Sequence, residues 1–123
     1  MALTNFPFGV SSFGIPLIGS GPDVTTGDIY FVSSTAANRS DSGSQGTSPS
    51  LPFATLDYAV GRCTANQGDI IYVMPGHAET ISAAAGLDLD VAGISVIGLG
   101  WGNTRPTFTF ATATGADMDV DAA

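Results

Sequence analysis

The stretch GTSPSLPFATLDYAVGRC, from Gly46 to Cys63, contains the one segment with the period of an amphipathic helix in a chain otherwise patterned as short strands. Four residues of this stretch fall at i, i+3, i+7 and i+10, which places them on one stripe of a helix with 3.6 residues per turn. These residues are Phe53, Leu56, Val60 and Cys63. We therefore predict a single helix over about 53–64.

Local signals mark the boundaries of this helix. Pro52 prevents the helix from extending far upstream. Thr55 is a candidate N-cap, and Asp57 lies in the first turn, where a carboxylate interacts favourably with the positive end of the helix dipole. Asn66 or Gly68 is expected to end the helical segment, since both residue types tolerate the left-handed conformation that follows helices.

Composition limits the classes of function. The 123 residues suit a single domain with one core. Charged residues make up only 11% of the chain, about half the usual share, so Ser, Thr, Asn and Gly must supply the polar surface. The net charge of −8 arises from eleven carboxylates against three arginines and no lysine. Without clustered cations, binding to nucleic acid or to an anionic membrane surface is not expected.

Cysteine content and hydropathy add to these limits. The single Cys63 has no partner for an internal disulfide. No run approaches the roughly 20 apolar residues of a membrane span. The N-terminus lacks the basic region of a secretory signal, so we expect none. A charge-poor β protein that acts outside the cell without such a signal is expected in a virus particle released by lysis.

The N-terminal segment, residues 1–25, is apolar but has neither the helical nor the strand period. Prolines and glycines interrupt its large apolar side chains, which are Phe6, Phe8, Phe13, Ile15, Leu17 and Ile18. This pattern predicts an extended arm for docking or oligomerisation that lies along another subunit or protein. A segment folded across the core of its own chain is the alternative.

The rest of the chain, residues 26–123, has the pattern of short strands. The run DIIYVMPG, residues 69–76, predicts a strand buried on both faces. Later segments such as LDLDV and TFTF alternate with period 2 and are separated by small residues. A sandwich would use hairpin turns such as Asn-Gly or Asp-Gly, and neither dipeptide occurs. Irregular turns of a solenoid of parallel strands fit this pattern better.

The segments GTSPSLPFATLDYAV and GDIIYVMPGHAETI, taken in this order, resemble the N-terminal part of right-handed parallel β-helix proteins of the pectate-lyase-like class. The resemblance covers about Gly27 to Ile81. Together with the opening MALTNFPFGVSSFGIP, the arrangement is also similar to bacteriophage virion proteins of that fold, which are usually trimers. It implies an all-β chain: a short or truncated right-handed parallel β-helix, one N-terminal capping α-helix and an extended N-terminal arm.

In that family the helix caps the first turn of the coil. The stripe of Phe53, Leu56, Val60 and Cys63 would then cover apolar core and unpaired strand edges. The final strand-like segment MDVDAA has no such cap in the sequence. We expect further chain or a partner to cover that end of the coil.

Few residues suggest chemistry. His77 with Glu79 is expected to form a structural corner, since no third ligand is nearby. Two groups of aspartates, Asp88 with Asp90 and Asp117 with Asp119 and Asp121, fall on strand-like segments. We expect a solvated outward face, with calcium binding or glycoside cleavage, in which Arg105 would be the only basic partner, as alternatives. Trp101, flanked by glycines, is either a packing residue or a platform for carbohydrate.

The sequence therefore favours a structural protein of the bacteriophage virion, either a capsid decoration, a head fibre or a tail component. It would bind other virion proteins through its arm, form a homotrimer and need neither cofactor nor metal. A tailspike-like polysaccharide lyase or glycosidase that binds bacterial surface polysaccharide is the first alternative. A non-catalytic carbohydrate-binding module is the second.

Overall fold

The computed structural model describes residues 10–12, 15–18, 25–111 and 115–121. In this part the chain is mostly strand with one short α-helix, which agrees with the predicted all-β class. The elements in chain order are β1 (Val10–Ser12), β2 (Ile15–Ile18), β3 (Ile29–Val32), α1 (Leu56–Arg62), β4 (Ile70–Val73), β5 (Ala78–Ile81), β6 (Leu87–Asp88), β7 (Ser95–Gly98), a 3-10 helix (Gly102–Thr104), β8 (Thr107–Phe110) and β9 (Met118–Asp119).

Two strands lie within the segment predicted as an arm. β1 and β2 pair antiparallel, with Ser12 opposite Ile15 and a register shift between Val10 and Ser11. Pro16 lies in β2 opposite Ser11, a position that proline tolerates because both strands of a two-stranded ribbon are edge strands. Phe6, Phe8 and Phe13 lie outside the described residues.

After the helix the chain passes twice through three strands: β4, β5 and β6 form the first pass, and β7, β8 and β9 form the second. Each strand of the first pass pairs in parallel with the corresponding strand of the second. The three ladders are β4 with β7, where Ile70 pairs with Ser95, β5 with β8, where Ala78 pairs with Thr107, and β6 with β9, where Leu87 pairs with Met118. β3 pairs in parallel with β4 on its other side, giving the strand order β3-β4-β7. The short strands after the helix thus pair in parallel and not as hairpins.

The central strand β4 is buried on both faces, as its continuous apolar run predicts. Ile71 and Val73 point into the main core, whereas Ile70 and Tyr72 belong to a second apolar cluster on the opposite face. In the final pass the apolar side chains are more accessible. Val96 is 40% exposed and Met118 is 49% exposed.

The helix α1 is shorter than predicted. It begins at Leu56, and Thr55 is its N-cap, with the Thr55 hydroxyl accepting a hydrogen bond from the Tyr58 amide. Phe53 precedes the helix because its backbone pairs with β3: its amide donates to Phe31 O, and its carbonyl accepts from Ser33 N. Cys63 is already extended, with ψ 155°. The positive φ values at Asn66 (61°) and Gly68 (79°) occur in the following turn rather than at the helix end.

Gly46, at the start of the stretch that leads into the helix, is required by packing. Its φ is +88°, and a Cβ at this position would overlap the ring of Phe53. That ring in turn lies 5.7 Å from the ring of Tyr30 and 5.1 Å from that of Tyr58, measured between centroids. The loop before α1 is therefore held against the core by Phe53.

Candidate functional site

The predicted stripe, of which only Leu56 and Val60 lie in α1, faces a core that contains residues of all three parallel ladders. Phe53, Leu56 and Val60 are 0–3% exposed, while Cys63 is half-buried. We call this cluster the capped core. Besides the helix residues it contains side chains from β3 and β4 (Tyr30, Val32, Ile71, Val73), from β5 (Ile81) and from β6 (Leu87). The structure thus brings these four predicted residues together on one apolar surface.

The start of α1 also bonds to strands that begin two of the ladders. The amide of Leu56 donates to Oε2 of Glu79 on β5 at 3.0 Å. The amide of Asp88 on β6 donates to Oδ1 of Asp57 at 3.0 Å. β5 and β6 each pair on one side with a strand of the next pass, and α1 contacts β6 as well as β3 and β4. The helix therefore packs on the apolar core and is also tied by hydrogen bonds to residues of β5 and β6.

Asp41 is a residue that the sequence analysis missed. Its Oδ1 accepts from the amides of Ala54 and Thr55 at 2.8 and 3.1 Å, and its Oδ2 accepts from the Thr55 hydroxyl at 2.8 Å. The carboxylate therefore positions the N-cap residue. Asp41 lies in a polar loop well upstream of Thr55, and nothing local in the sequence indicates that contact.

His77 is buried at 1% exposure, and both ring nitrogens are engaged. Nδ1 accepts from the amide of Ser34 at 3.0 Å, and an amide can only donate, so the proton of the neutral ring lies on Nε2. Nε2 faces Oε2 of Glu79 at 3.0 Å, and the ring packs on Phe108 with centroids 5.3 Å apart. This geometry leaves His77 no nitrogen with which to act as a base toward a substrate.

A second buried polar group lies at the beginning of β4. Asp69 is 1% exposed, and its carboxylate accepts from the amides of Asp28 and Thr64 at 2.8 and 2.7 Å. Burial, and then the nearby charges of Asp69 and Asp28, raise the pKa of the Cys63 thiol to about 12. A thiol with this pKa is a poor nucleophile, because the thiolate is the reactive form.

The predicted aspartate groups form a ladder of like charges. Asp88 and Asp119 are direct partners in the β6–β9 pair. The pairing continues for one step, since the Leu89 amide donates to Asp119 O and the Asp121 amide donates to Leu89 O. Within the described residues, Oδ1 of Asp88 is shielded from solvent and has no hydrogen-bond partner, although the side chain as a whole is partly exposed.

The electrostatics of this ladder follow from its geometry. Desolvation, and then the charges of Asp90, Asp119, Asp121 and Asp57, raise the pKa of Asp88. Asp117 is engaged elsewhere, with Oδ1 accepting from the amide of Ala85 at 2.5 Å. Arg105 donates from Nε to Gly102 O at 2.9 Å, in the corner before β8, so its described contact is not with the ladder.

Trp101 lies at the corner between β7 and β8 and is 87% exposed, so it is not a packing residue. Its backbone is held by Thr104, whose hydroxyl accepts from the Trp101 amide at 2.9 Å and donates to the Trp101 carbonyl at 2.7 Å. The Thr104 carbonyl accepts from the amide of Gly76 at 2.6 Å, which ties this corner to the one after β4. The indole is thus presented on a fixed backbone.

The remaining predicted residues belong to the N-terminal segment. Ile15, Leu17 and Ile18 lie in β2, so the structure places them in the ribbon with β1. Within the described ranges, no group of three or more His, Cys, Asp and Glu side chains is arranged to hold a metal ion. Nor does this part of the chain contain a helix long and apolar enough to cross a membrane.

The contacts described above hold most of these side chains in packing or in hydrogen bonds within the fold. His77 and Asp69 are buried and bonded, and Cys63 is held protonated. Comparison of the chain with protein-family models, with curated proteins and with solved structures finds no match.

Proposed function

We propose that this chain is a structural component of a bacteriophage virion, located on the head as a decoration or fibre, or in the tail. It presents a short parallel β-helix and contacts other virion proteins through residues 1–25. The resemblance of Gly27 to Ile81 to pectate-lyase-like β-helix proteins supports the fold, and the similarity to phage proteins supports the location. The low charge content fits a protein whose surface is partly covered by other subunits.

The observation that carries this proposal is the set of three parallel ladders with α1 lying across their common core. Paired residues are 25 positions apart in the first ladder, 29 in the second and 31 in the third. These spacings fall within the repeat lengths of solenoids, in which each turn stacks on the one before. Connections between parallel strands are almost always right-handed, so we propose the right-handed coil. An amphipathic helix at the first turn prevents end-to-end association.

The docking role of residues 1–25 rests on their composition. No charged residue occurs before Asp23, and the segment is rich in Phe and Ile. Such a sequence buries well against protein and poorly against water. The proposed partners are other capsid or tail proteins and two further copies of this chain. The proposal includes no nucleic acid, membrane, metal or cofactor.

Particle binding tests this proposal. The variant Phe6→Ser/Phe8→Ser is expected to lose binding to purified particles in a co-sedimentation assay while keeping its far-ultraviolet circular dichroism. Phe110→Ser is the matched control, since Phe110 lies on β8 and is already 44% exposed. Unchanged binding by the double variant, or absence of the natural protein from purified particles, would contradict the proposal.

The homotrimer has its own test. Light scattering coupled to size-exclusion chromatography should give three times the 12.4 kDa mass of the chain. A monomer that persists at high micromolar concentration would refute the trimer without affecting the virion location.

An enzyme that cleaves polysaccharide is the second candidate, favoured by the pairing of Asp88 with Asp119. Glycosidases use two neighbouring carboxyl groups, and the one that acts as general acid has a raised pKa, as Asp88 has opposite Asp119. Release of reducing sugar from bacterial surface polysaccharide, abolished in Asp88→Asn and Asp119→Asn but kept in Asp117→Asn, would establish this activity in place of the structural role.

A further inference from the structure

The second pass, β7, β8 and β9, leaves apolar core positions accessible to solvent. One core residue on each strand of the first pass is almost completely buried, at 0–3% exposure: Ile71, Ile81 and Leu87. The residues that pair with them in the second pass are 40–49% exposed: Val96, Phe110 and Met118. Burial of the core therefore falls sharply from the first pass to the second.

Residues 118–121 present a strand edge on the side away from β6. Within the described residues, β9 pairs with β6 alone. The carbonyl of Asp119 and the amide of Asp121 both bond to Leu89, on the β6 side. Because alternate residues of a strand direct their backbone groups to opposite sides, the amide and carbonyl of Val120 point away from β6. We call this side the open edge, and the 62% exposure of Val120 places it in contact with solvent.

The core-facing side of the open edge adjoins an apolar cavity of about 290 Å³. Its lining contains no charged residue and consists of Leu89, Val91, Gly93, Ile94, Val96 and Val120. Side chains of a strand alternate between two faces, so a strand that paired with the open edge would direct every second side chain toward this cavity. Apolar side chains at those positions would remove the exposed surface of Val96 and Val120 from water, which favours binding.

The opposite face of the open edge is acidic. Asp119 and Asp121 alternate with Met118 and Val120, and Asp119 pairs directly with Asp88 of β6. Like charges directly opposite each other on neighbouring strands destabilise the pairing, whereas opposite charges stabilise it. A strand added to the open edge is therefore favoured when it places lysine or arginine beside these carboxylates.

A second copy of this chain does not match that pattern. Its own open edge would bring further aspartates against Asp119 and Asp121. Its three arginines lie in a loop, in the last turn of α1 and at the end of the 3-10 helix, so none of them alternates with apolar residues on a strand: Arg39, Arg62 and Arg105. The charge pattern therefore favours a different protein as the occupant.

We propose that the open edge binds an extended segment of another protein, in which apolar and basic side chains alternate. The segment adds a strand beside β9, and its backbone pairs with the amide and carbonyl of Val120. Its apolar side chains enter the cavity, and its basic side chains lie beside Asp119 and Asp121. This inference does not depend on the proposed virion role, and the surface is separate from the contact proposed for residues 1–25.

Binding of synthetic peptides to the full-length chain tests the inference. The probe is a fluorescently labelled peptide of the sequence Lys-Val-Lys-Val-Lys-Val, and fluorescence anisotropy measures its affinity. The peptide Lys-Lys-Lys-Val-Val-Val has the same charge and composition, but as a strand it cannot direct all its lysines to one face. It should bind at least about tenfold more weakly than the alternating peptide. Equal affinities would overturn the inference, because attraction to the net charge of −8 would then suffice.

Variants of the open edge locate the binding. Val120→Pro removes the amide that faces the edge, while the bonds to Leu89 use Asp119 O and Asp121 N and remain possible. This change should weaken binding of the alternating peptide by roughly tenfold. The matched control Val120→Ile keeps the amide and an apolar side chain and should change the affinity by no more than about twofold.

The variant Asp119→Asn/Asp121→Asn tests the charges without a change in the backbone. It relieves repulsion between aspartates, so the fold is retained, and the alternating peptide should bind roughly tenfold more weakly. Unchanged binding in this variant or in Val120→Pro would overturn the inference. Light scattering that shows an oligomer of this chain, dissociated by Val120→Pro but not by Val120→Ile, would overturn it in favour of a second copy at the open edge.

Discussion

Leu56→Ala should strongly destabilise the protein, because Leu56 anchors α1 in the capped core. The side chain is 3% exposed and packs in a cluster that contains residues of β3, β4, β5 and β6. Truncating a buried leucine removes transfer free energy and leaves a cavity, for a loss of about 2–5 kcal/mol. A domain of 123 residues loses about 4 °C in melting temperature per kcal/mol, so we expect a decrease of about 8–20 °C.

Gly61→Ala is the matched control on the same helix. Gly61 is exposed, and a Cβ there would meet no atom within 4 Å. Replacing an exposed helical glycine by alanine reduces the entropy of the unfolded chain and should stabilise the protein by about 0.5–1 kcal/mol. The two variants together show whether a loss of stability comes from the apolar face of α1 and not from any change in the helix.

Urea denaturation followed by circular dichroism measures both variants, and amide hydrogen exchange locates the effect. If α1 covers the shared core, Leu56→Ala should increase exchange at Ile81 and Leu87, which lie on β5 and β6, far from Leu56 in sequence. A loss below about 0.5 kcal/mol, the range of ordinary surface substitutions, would refute the role of α1 as a cover. So would an increase in exchange confined to the helix.

Three further predictions concern the buried and titratable groups. Asp88→Asn should stabilise the protein at pH 7, because the raised pKa of Asp88 means that the folded state favours the neutral form of this side chain. The gain in stability over the natural protein should disappear as the pH falls through the raised pKa toward the unfolded value of 3.8. A gain that grew on acidification would contradict this. His77→Phe keeps the volume of the ring but leaves the amide of Ser34 without its acceptor, while Oε2 of Glu79 keeps only its hydrogen bond from the amide of Leu56. Urea denaturation should therefore show a loss of about 1–3 kcal/mol, whereas an unchanged midpoint would exclude these hydrogen bonds as a source of stability. The Cys63 thiol has its pKa raised to about 12. At pH 8 it should react with a disulfide reagent roughly two to three orders of magnitude more slowly in the folded protein than in the urea-unfolded protein. Equal rates would show that the thiol is neither buried nor held protonated.

Local sequence signals predicted the elements whose causes are local. Thr55 caps α1 and Asp57 lies in its first turn, as the spacing around Pro52 indicates. The continuous apolar run of β4 corresponds to burial on both faces. The absence of Asn-Gly and Asp-Gly turns favoured parallel pairing, and β4, β5 and β6 pair in parallel with strands of the next pass.

Contacts between distant segments could not be predicted. Phe53 lies on the stripe with helical spacing, yet its backbone forms a parallel β-bridge with Val32 of β3, before the helix begins. The helix ends at Arg62 because the backbone of Cys63 is extended and the carboxylate of Asp69 accepts a hydrogen bond from the amide of Thr64. The contacts of Asp41 with Thr55 and of Glu79 with Leu56 likewise depend on how loops meet in the folded chain.

Electron cryomicroscopy of assembled particles that contain this chain tests the proposed function most directly. The account predicts density for a short coil of parallel strands that projects from the head or tail in three copies, with α1 over one end and residues 1–25 at the contact with the particle. Particles of full composition that lack this density, or density attached through β7–β9 with residues 1–25 facing solvent, would contradict it.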